Sequence, residues 1–455
     1  DVVMSALLIV FLGAIALLFA GINRSEKALK WPAVGILLLA AATAFANWDW
    51  VSWLELPDTM MAYSSMDQMY VALICLVAAL AIAVFEGLES LGSDRLGLMM
   101  LSLSGGIMII GQENLVMLFL GIEVLSIPLY VLAGSDKRNL FGNEAAIKYF
   151  LMGAFSTAIL LLGSAFLYGS TGTLVLSTMT NKASMYAHFG VYPPMLTAGL
   201  ILLGIGLLFK ISAVPFHFWA PDVYEGSPAR STAFMATVVK IAGFSALARV
   251  ALAFEPMVLW FQSSVAIIAV LSILLGNLLA LVQSSPKRML AYSSIAHAGY
   301  MMLALTLVGQ AAFSVESILF LYLASYSLAS IAAFAWVEWA SERSGKVDFS
   351  MFQGLGQNPW VSVNLVLVFL SLAGIPLTAG FAGKYYLFSA AFEIAPWAVG
   401  LALLGSFLSI AYYFRAFQQA WSQQENQESI SIPVGFAVIS ALILLVGCAP
   451  MWFLP

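Results

Sequence analysis

Apolar runs long enough to cross a bilayer recur along almost the whole chain, and nothing constrains its fold more. A helix needs about 20 mostly apolar residues to cross the hydrocarbon core. By that measure fourteen spans are expected, at 2–20, 31–48, 67–88, 94–111, 113–134, 143–169, 195–219, 229–254, 260–283, 287–308, 313–340, 358–390, 393–420 and 431–454. Lipid offers a peptide group no hydrogen-bond partner, so each span must satisfy its own backbone as a helix. Hydrophobic residues make up 62% of the chain and charged ones 9%, where a soluble domain carries about 25% charged residues. The expected class is all-α, a polytopic membrane protein. Val2–Ala20 is read as a span and not as a cleaved signal peptide. Because residue 1 is Asp, a few residues, including the initiator, are expected to precede it.

The loops carry a strong charge bias. Odd-numbered loops and their flanks hold Arg24, Lys27, Lys30, Arg95, Lys137, Arg138, Arg230, Lys287, Arg288, Arg343, Lys346 and Arg415, whereas even-numbered loops hold only Lys182. Loop Lys and Arg mark the cytoplasmic side. Both termini are then expected in the periplasm of a bacterium, with the second loop and its Asp49, Glu55 and Asp58. The net charge of -5 includes no basic tail or nucleic-acid patch. Cys75 and Cys448 lie in separate apolar segments and are expected to be buried thiols. No residue cluster has metal-ligand spacing and no glycine-rich loop joins a strand to a helix, so no nucleotide, metal or redox site is expected in this chain.

Five basic residues remain at membrane depth: Lys148, Lys210, Lys240, Arg249 and Lys384. Arg249 sits near a helix end, where its side chain can snorkel to the interface. Lys148 is about a turn and a half inside its helix, and both snorkelling and a relay role stay open. Lys210, Lys240 and Lys384 are too deep for easy escape. A charged lysine at the centre costs about 2.5–3.5 kcal/mol on insertion scales, so such residues mark ion pathways. Glu123 lies about ten residues into span five and His297 about ten into span ten. A lone histidine in an apolar helix is more often a core residue, but Tyr292, Ser293, Ser294 and Tyr300 give His297 polar company. Its ordinary pKa near 6.5 suits proton relay. His217 either braces a helix break or lines a channel mouth. His188, in a long extramembrane loop, is expected to be solvated. Ser212, Thr378, Ser406 and Tyr412 are weaker candidates for holding water.

The stretch Leu207–Pro228, LLFKISAVPFHFWAPDVYEGSP, starts as membrane helix and meets Pro215 five residues after Lys210. Proline removes a backbone donor and breaks or kinks a helix. A second interruption is expected at Gly374–Gly380. Paired interruptions in corresponding helices point to a transporter site between two repeats. The repeats are expected at spans 4–8 and 9–13, and five helices per copy forces the second to be inverted. The implied organisation is an N-terminal three-helix segment at 1–93, repeats at 94–254 and 260–420, each with a half-channel for protons, and a C-terminal helix at 431–455.

The wording PFHFWAPDVYEG resembles the antiporter-like subunits of respiratory complex I, and most of all the N-type subunit. Where the L- and M-type relatives carry Ala-His-Glu-Ala-Pro, this chain has Asp222-Val223-Tyr224-Glu225-Gly226. Ser371–Tyr386, SLAGIPLTAGFAGKYY, fits the same family, and the likeness extends over roughly 87–415. The resemblance implies a proton-pumping subunit of an NADH:quinone oxidoreductase, with no cofactor of its own. NADH, flavin, iron–sulfur clusters and quinone would be held by partner subunits, and M-type and K-type subunits would be its neighbours. It implies Glu123 and Lys210 as a pair in which the carboxylate sets the proton affinity of the amine, Lys240 as the relay, and Lys384 as the terminal proton site. His297 joins them as a candidate, with Lys148, His217, Tyr292, Ser294 and Tyr412 as further relay or lining residues. Two rivals stay open. One is a subunit of a multisubunit cation/proton antiporter or membrane-bound hydrogenase, against which the Pro-Asp-Val-Tyr-Glu-Gly segment argues. The other is a scaffold without transport, against which the deep lysines and Glu123 argue.

Overall fold

A computed structural model describes residues 2–22, 28–49, 59–85, 93–310, 314–422 and 432–452. Among these no strand forms beyond two isolated bridges, and the elements are all helices. Arg24, Lys27, Glu55 and Asp58 lie outside the described residues. The helices are α1 (Val2–Ala20), α2 (Lys30–Phe45), α3 (Ser65–Ala83), α4 (Ser93–Ile110), α5 (Leu115–Ala133) and α6 (Leu140–Thr171). There follow α7 (Leu176–His188), α8 (Pro194–Lys210), α9 (Trp219–Gly226), α10 (Ala229–Ala253), α11 (Val258–Leu281) and α12 (Pro286–Met302). The last are α13 (Val315–Ser344), α14 (Pro359–Ala373), α15 (Ala379–Phe392), α16 (Pro396–Ala420) and α17 (Val434–Cys448).

Every predicted span contains a helix. Among the described residues nine helices are long and apolar enough to cross a membrane, and α2, α8, α14 and α17 are shorter apolar helices. The range 358–390 holds two helices, α14 and α15, separated at Gly374–Thr378. The long loop after α6 is not irregular: it folds into α7, whose Leu176, Met179 and Ala183 are buried at helical spacing while His188 is exposed. Cys75 is buried, but Cys448, at the end of α17, is exposed. The expectation of two buried thiols fails there because the last turn of α17 turns that residue outward.

Both breaks obey the rule that backbone freed within a membrane must find partners in the protein. After α8, the Phe209 carbonyl accepts from Trp219 Nε1 at 3.0 Å and the Val214 amide donates to Ser272 Oγ at 3.0 Å. Ser212 takes a left-handed φ of 61° and the Val214–Pro215 bond is cis. After α14, Gly374 has φ 82°, a conformation glycine adopts without steric cost. The Gly374 and Ile375 amides return to the Leu370 carbonyl, at 2.9 and 3.0 Å.

Two helix pairs, α4 with α5 and α11 with α12, cross closely at glycine. A Cβ on Gly105 would lie 2.2 Å from the Leu125 nitrogen, and one on Gly276 would lie 2.6 Å from that of Ala296. Small residues let membrane helices approach until backbones touch. The loops gather at two ends. At one, Arg95, Lys148, Arg230, Lys287, Arg288, Glu338 and Glu342 line a shared cavity of ≈ 730 Å³. At the other, Arg249 binds Asp67 at 3.0 Å and the Ala62 and Ile110 carbonyls at 2.6 and 3.1 Å, with Glu113 at 3.5 Å. Arg249 therefore reaches its helix end as expected, and there it ties the entry to α3 to the α4–α5 connection.

Gly105→Leu should drive α4 and α5 apart, since overpacking a tight contact costs about 1–3 kcal/mol or more. Gly35→Leu, with nothing within 4 Å of its Cβ position, is the control. The amount of subunit recovered in the purified assembly should fall for the first and hold for the second; equal recovery would refute the close crossing.

Candidate functional site

Lys210 is the last residue of α8, so the helix break presents it at the molecular centre, 4% exposed. Its Nζ donates to Ser126 Oγ of α5 at 2.7 Å. The Tyr130 and Phe209 rings lie at 6.0 and 5.8 Å. Glu123, one helical turn before Ser126, is half-buried and no Glu123–Lys210 ion pair within 4 Å forms among the described residues. A neutral hydroxyl meets the amine, and the carboxylate stands further along the same helix.

Lys240, on α10, is 1% exposed. Its Nζ donates to the Ser294 carbonyl of α12 and faces the Tyr326 ring of α13 at 5.2 Å. Tyr326 donates to Ser294 Oγ at 2.9 Å. His297 stands one turn further along α12, with Tyr322 Oη 3.0 Å from its Nδ1 and the Tyr326 ring at 4.9 Å. Its ring is also 5.7 Å from that of Tyr300. Tyr300 in turn lies under the Lys384 amine, at 4.9 Å. Lys210, Lys240, His297 and Lys384 are therefore all enclosed, and the last three share a tyrosine-rich seam.

Lys384 is held by the second break. Its Nζ meets the Ala373 carbonyl at 2.8 Å, Ser406 Oγ at 2.9 Å and the Leu372 carbonyl at 3.3 Å. An ammonium group has three donors, and here it finds three acceptors. Two are carbonyls at the end of α14, freed by the interruption at Gly374. Gly380 belongs to the same arrangement, because a Cβ there would fall 1.8 Å from the Ser371 oxygen.

The remaining candidates fall in different places. Lys148 is 42% exposed and pairs with Asp222 at 2.7 Å and Glu144 at 2.8 Å. It lines the cavity at the basic end and lies outside the central line. Arg288 also binds Asp222, at 3.0 Å, and Glu225 at 2.9 Å. Burial opposes the charge on Asp222, but hydrogen bonds from Lys148 and Arg288 prevail and hold its carboxyl below the usual carboxylate range. His217 is buried in the first break beside the Phe218 ring, and its Nδ1 has no hydrogen-bond partner among the described residues. Tyr292 is half-buried and makes no side-chain hydrogen bond among the described residues. Tyr412 donates to Asn277 Oδ1 at 3.0 Å. Ser126, Asn277, Tyr322 and Tyr326 were not singled out in the sequence. Asn277 had a signal, a carboxamide deep within an apolar run; the others are hydroxyls of a kind common in membrane helices. Among the described residues no group of three or more His, Cys, Asp or Glu is placed to hold a metal ion.

Lysines enclosed at two helix breaks are what membrane proteins with an internal ion pathway carry. Comparison with known proteins narrows this. Residues 112–409 match the family described as NADH:quinone oxidoreductase/Mrp antiporter, TM. NADH-quinone oxidoreductase subunit N of Cytophaga hutchinsonii is 37% identical over 432 residues, 92% of this chain and 90% of that protein. A chain of respiratory complex I from Thermus thermophilus superposes with TM-score 0.81 at 33% identity, covering 99% of this chain and 98% of that one. A chain of the archaeal membrane-bound sulfane sulfur reductase superposes at 0.87 with 25% identity, covering 99% and 95%. The chain belongs to the NADH:quinone oxidoreductase/Mrp antiporter transmembrane family.

Ser126→Ala removes the hydroxyl that receives the Lys210 amine. A hydrogen bond to a charged group contributes about 1.5–3 kcal/mol, so proton pumping by the assembled complex should slow by about tenfold or more. An unchanged rate in reconstituted vesicles would exclude Ser126 from the pathway.

Proposed function

We propose that this chain is the N-type membrane-arm subunit of a proton-pumping NADH:quinone oxidoreductase. The observation that carries the reading is the enclosed series Lys210, Lys240, His297 and Lys384, which has no role in a passive scaffold. Within lipid such groups are costly and mark ion pathways. The relatives named subunit N cover nearly the whole chain and support the specific assignment over the antiporter or hydrogenase alternatives. Protons move through these side chains while partner subunits hold NADH, flavin, iron–sulfur clusters and quinone. The chain is in this sense a translocase subunit and carries no redox site of its own. M-type and K-type subunits are its neighbours in the membrane.

In this reading two inverted five-helix repeats, 94–254 and 260–420, each present one broken helix, and fourteen helices cross the bacterial inner membrane. The glycine crossings of α4 with α5 and α11 with α12 fall at corresponding places and support the pairing. Lys210 accepts a proton with its affinity set by Glu123, acting through the field along α5 and not by direct contact. An opposite charge favours the ammonium form and burial the neutral one. A shift of α5 therefore changes the charge state of Lys210. Lys240 and His297 pass the proton across the repeat boundary and Lys384 is its terminal site. The cavity at the basic end opens to the cytoplasm and both termini lie in the periplasm.

Lys384→Ala should leave the complex assembled and depress protons pumped per electron. Full stoichiometry in the purified mutant would exclude Lys384 as an essential site. Orientation has its own check at Arg138, which is exposed. Arg138→Cys should resist an impermeant thiol reagent added from the periplasm, and rapid labelling from that side would invert the topology.

A further inference from the structure

Beyond Lys384 the tyrosine seam continues, but an amide interrupts it. Asn277 lies in α11, fully buried. Its Nδ2 donates to the Ile273 carbonyl at 2.8 Å and to Tyr300 Oη at 3.2 Å, and its Oδ1 accepts from Tyr412 Oη at 3.0 Å. The Tyr412 ring lies tilted against that of its neighbour Tyr413, whose hydroxyl meets Ser293 Oγ. These groups run from the Lys384 side toward the basic end: Asn277 is one turn from the α11 terminus, where Arg415 Nη1 binds the Leu281 and Gln283 carbonyls at 3.1 and 2.8 Å. Gly405 keeps the junction open, since a Cβ there would sit 3.0 Å from Asn277 Nδ2 and 3.1 Å from Tyr300 Oη.

The orientation of the amide is forced. The Ile273 carbonyl can only accept, so the NH2 group must face it, and the second N–H then points at Tyr300. Hydroxyls pass protons because each can donate and accept in turn. A carboxamide nitrogen only donates. For a proton to travel from Tyr300 toward Tyr412, the Tyr300 hydroxyl would have to give its proton to a nitrogen that already carries two. In reverse, Tyr412 would have to protonate Oδ1, and Nδ2 would then release a proton to Tyr300, through an O-protonated amide and then its imidic acid. Neither form is accessible beside neutral hydroxyls. An interhelical amide that served only as glue would not need to stand between two hydroxyls, one of them on the ring that the Lys384 amine faces.

We propose that Asn277 is a proton insulator: it separates Lys384 from the Tyr412–Tyr413–Ser293 hydroxyls and so stops back-flow of protons from the basic end to that lysine. The inference rests on Lys384 being a proton site. Replacing the amide by a group that takes a proton on one atom and releases it from another closes the gap. Asn277→Asp does so, with Tyr412 donating to one carboxylate oxygen and the other oxygen passing a proton to or from Tyr300.

The test is passive proton flux into vesicles containing the assembled complex, under an imposed pH gradient without NADH, so that no redox turnover is needed. Asn277→Asp should raise the flux several-fold over the unmodified complex. Adding Tyr412→Phe or Lys384→Met should return it to the starting level, because each cuts the path on one side of the amide. Asn277→His, a titratable side chain of comparable size, should also leak, and serves if the Asp variant fails to assemble. Assembled Asp and His variants as tight as the unmodified complex would overturn the insulation while leaving the pumping role of Lys384 untouched. A leak that survives both Tyr412→Phe and Lys384→Met would also overturn it, as general loosening of the bundle. Loss of pumping in Lys384→Ala is read separately during turnover, so failure there is distinguishable from failure here.

Discussion

A peptide group stripped of its helical partner inside lipid must be satisfied by protein, and this requirement organises the molecule. It permits α8 and α14 to end within the bundle only because other groups reach their termini. At the first break these are Trp219 and Ser272; at the second they include the lysine itself. The two breaks therefore solve one problem differently. Lys210 is presented by its break and bound elsewhere, by Ser126 of a neighbouring helix. Lys384 approaches from the far side of its break and is bound by it. The sequence already hinted at this asymmetry, since Lys210 precedes Pro215 and Lys384 follows Pro376.

The all-helical class and the two interruptions were legible because their physics is local: apolar length sets a span, and a proline or glycine sets a break. The sorting of loops by charge was legible too, and Arg95, Arg230, Lys287 and Arg288 do line one cavity. Depth alone singled out Lys210, Lys240 and Lys384, since burying a cation has few explanations. What stayed hidden depends on facing between helices. Nothing in the spacing of Glu123 and Lys210 tells that a serine one turn from the acid, and not the acid, meets the amine. Tyr322 and Tyr326 look like ordinary aromatic packing until α13 is laid against α12. Lys148 is ambiguous because a turn and a half of helix lies at the limit of a lysine's reach; its amine meets Asp222 at the bordering cavity.

The two ends of the bundle are built unlike each other. At one, Arg249 draws four backbone or carboxylate oxygens from two connections onto one guanidinium. At the other, half-exposed pairs such as Lys148–Asp222 and Arg288–Glu225 border an open cavity. Exposed pairs contribute about 0–1 kcal/mol each, whereas the Arg230–Glu338 pair on the same cavity is largely buried. The short α9, which carries Asp222 and Glu225, sits there between the helices bearing Lys148 and Arg288.

Two of the three acceptors at Lys384 are main-chain oxygens, of Leu372 and Ala373, and every residue type supplies one there. Replacing either side chain leaves the ligand in place. A scan that trims side chains would therefore pass over this site in silence and register only Ser406 and the lysine. What specifies the site is the shape of the chain between Gly374 and Gly380. Its identity is written in curvature, and only changes that straighten or shift that curve can erase it.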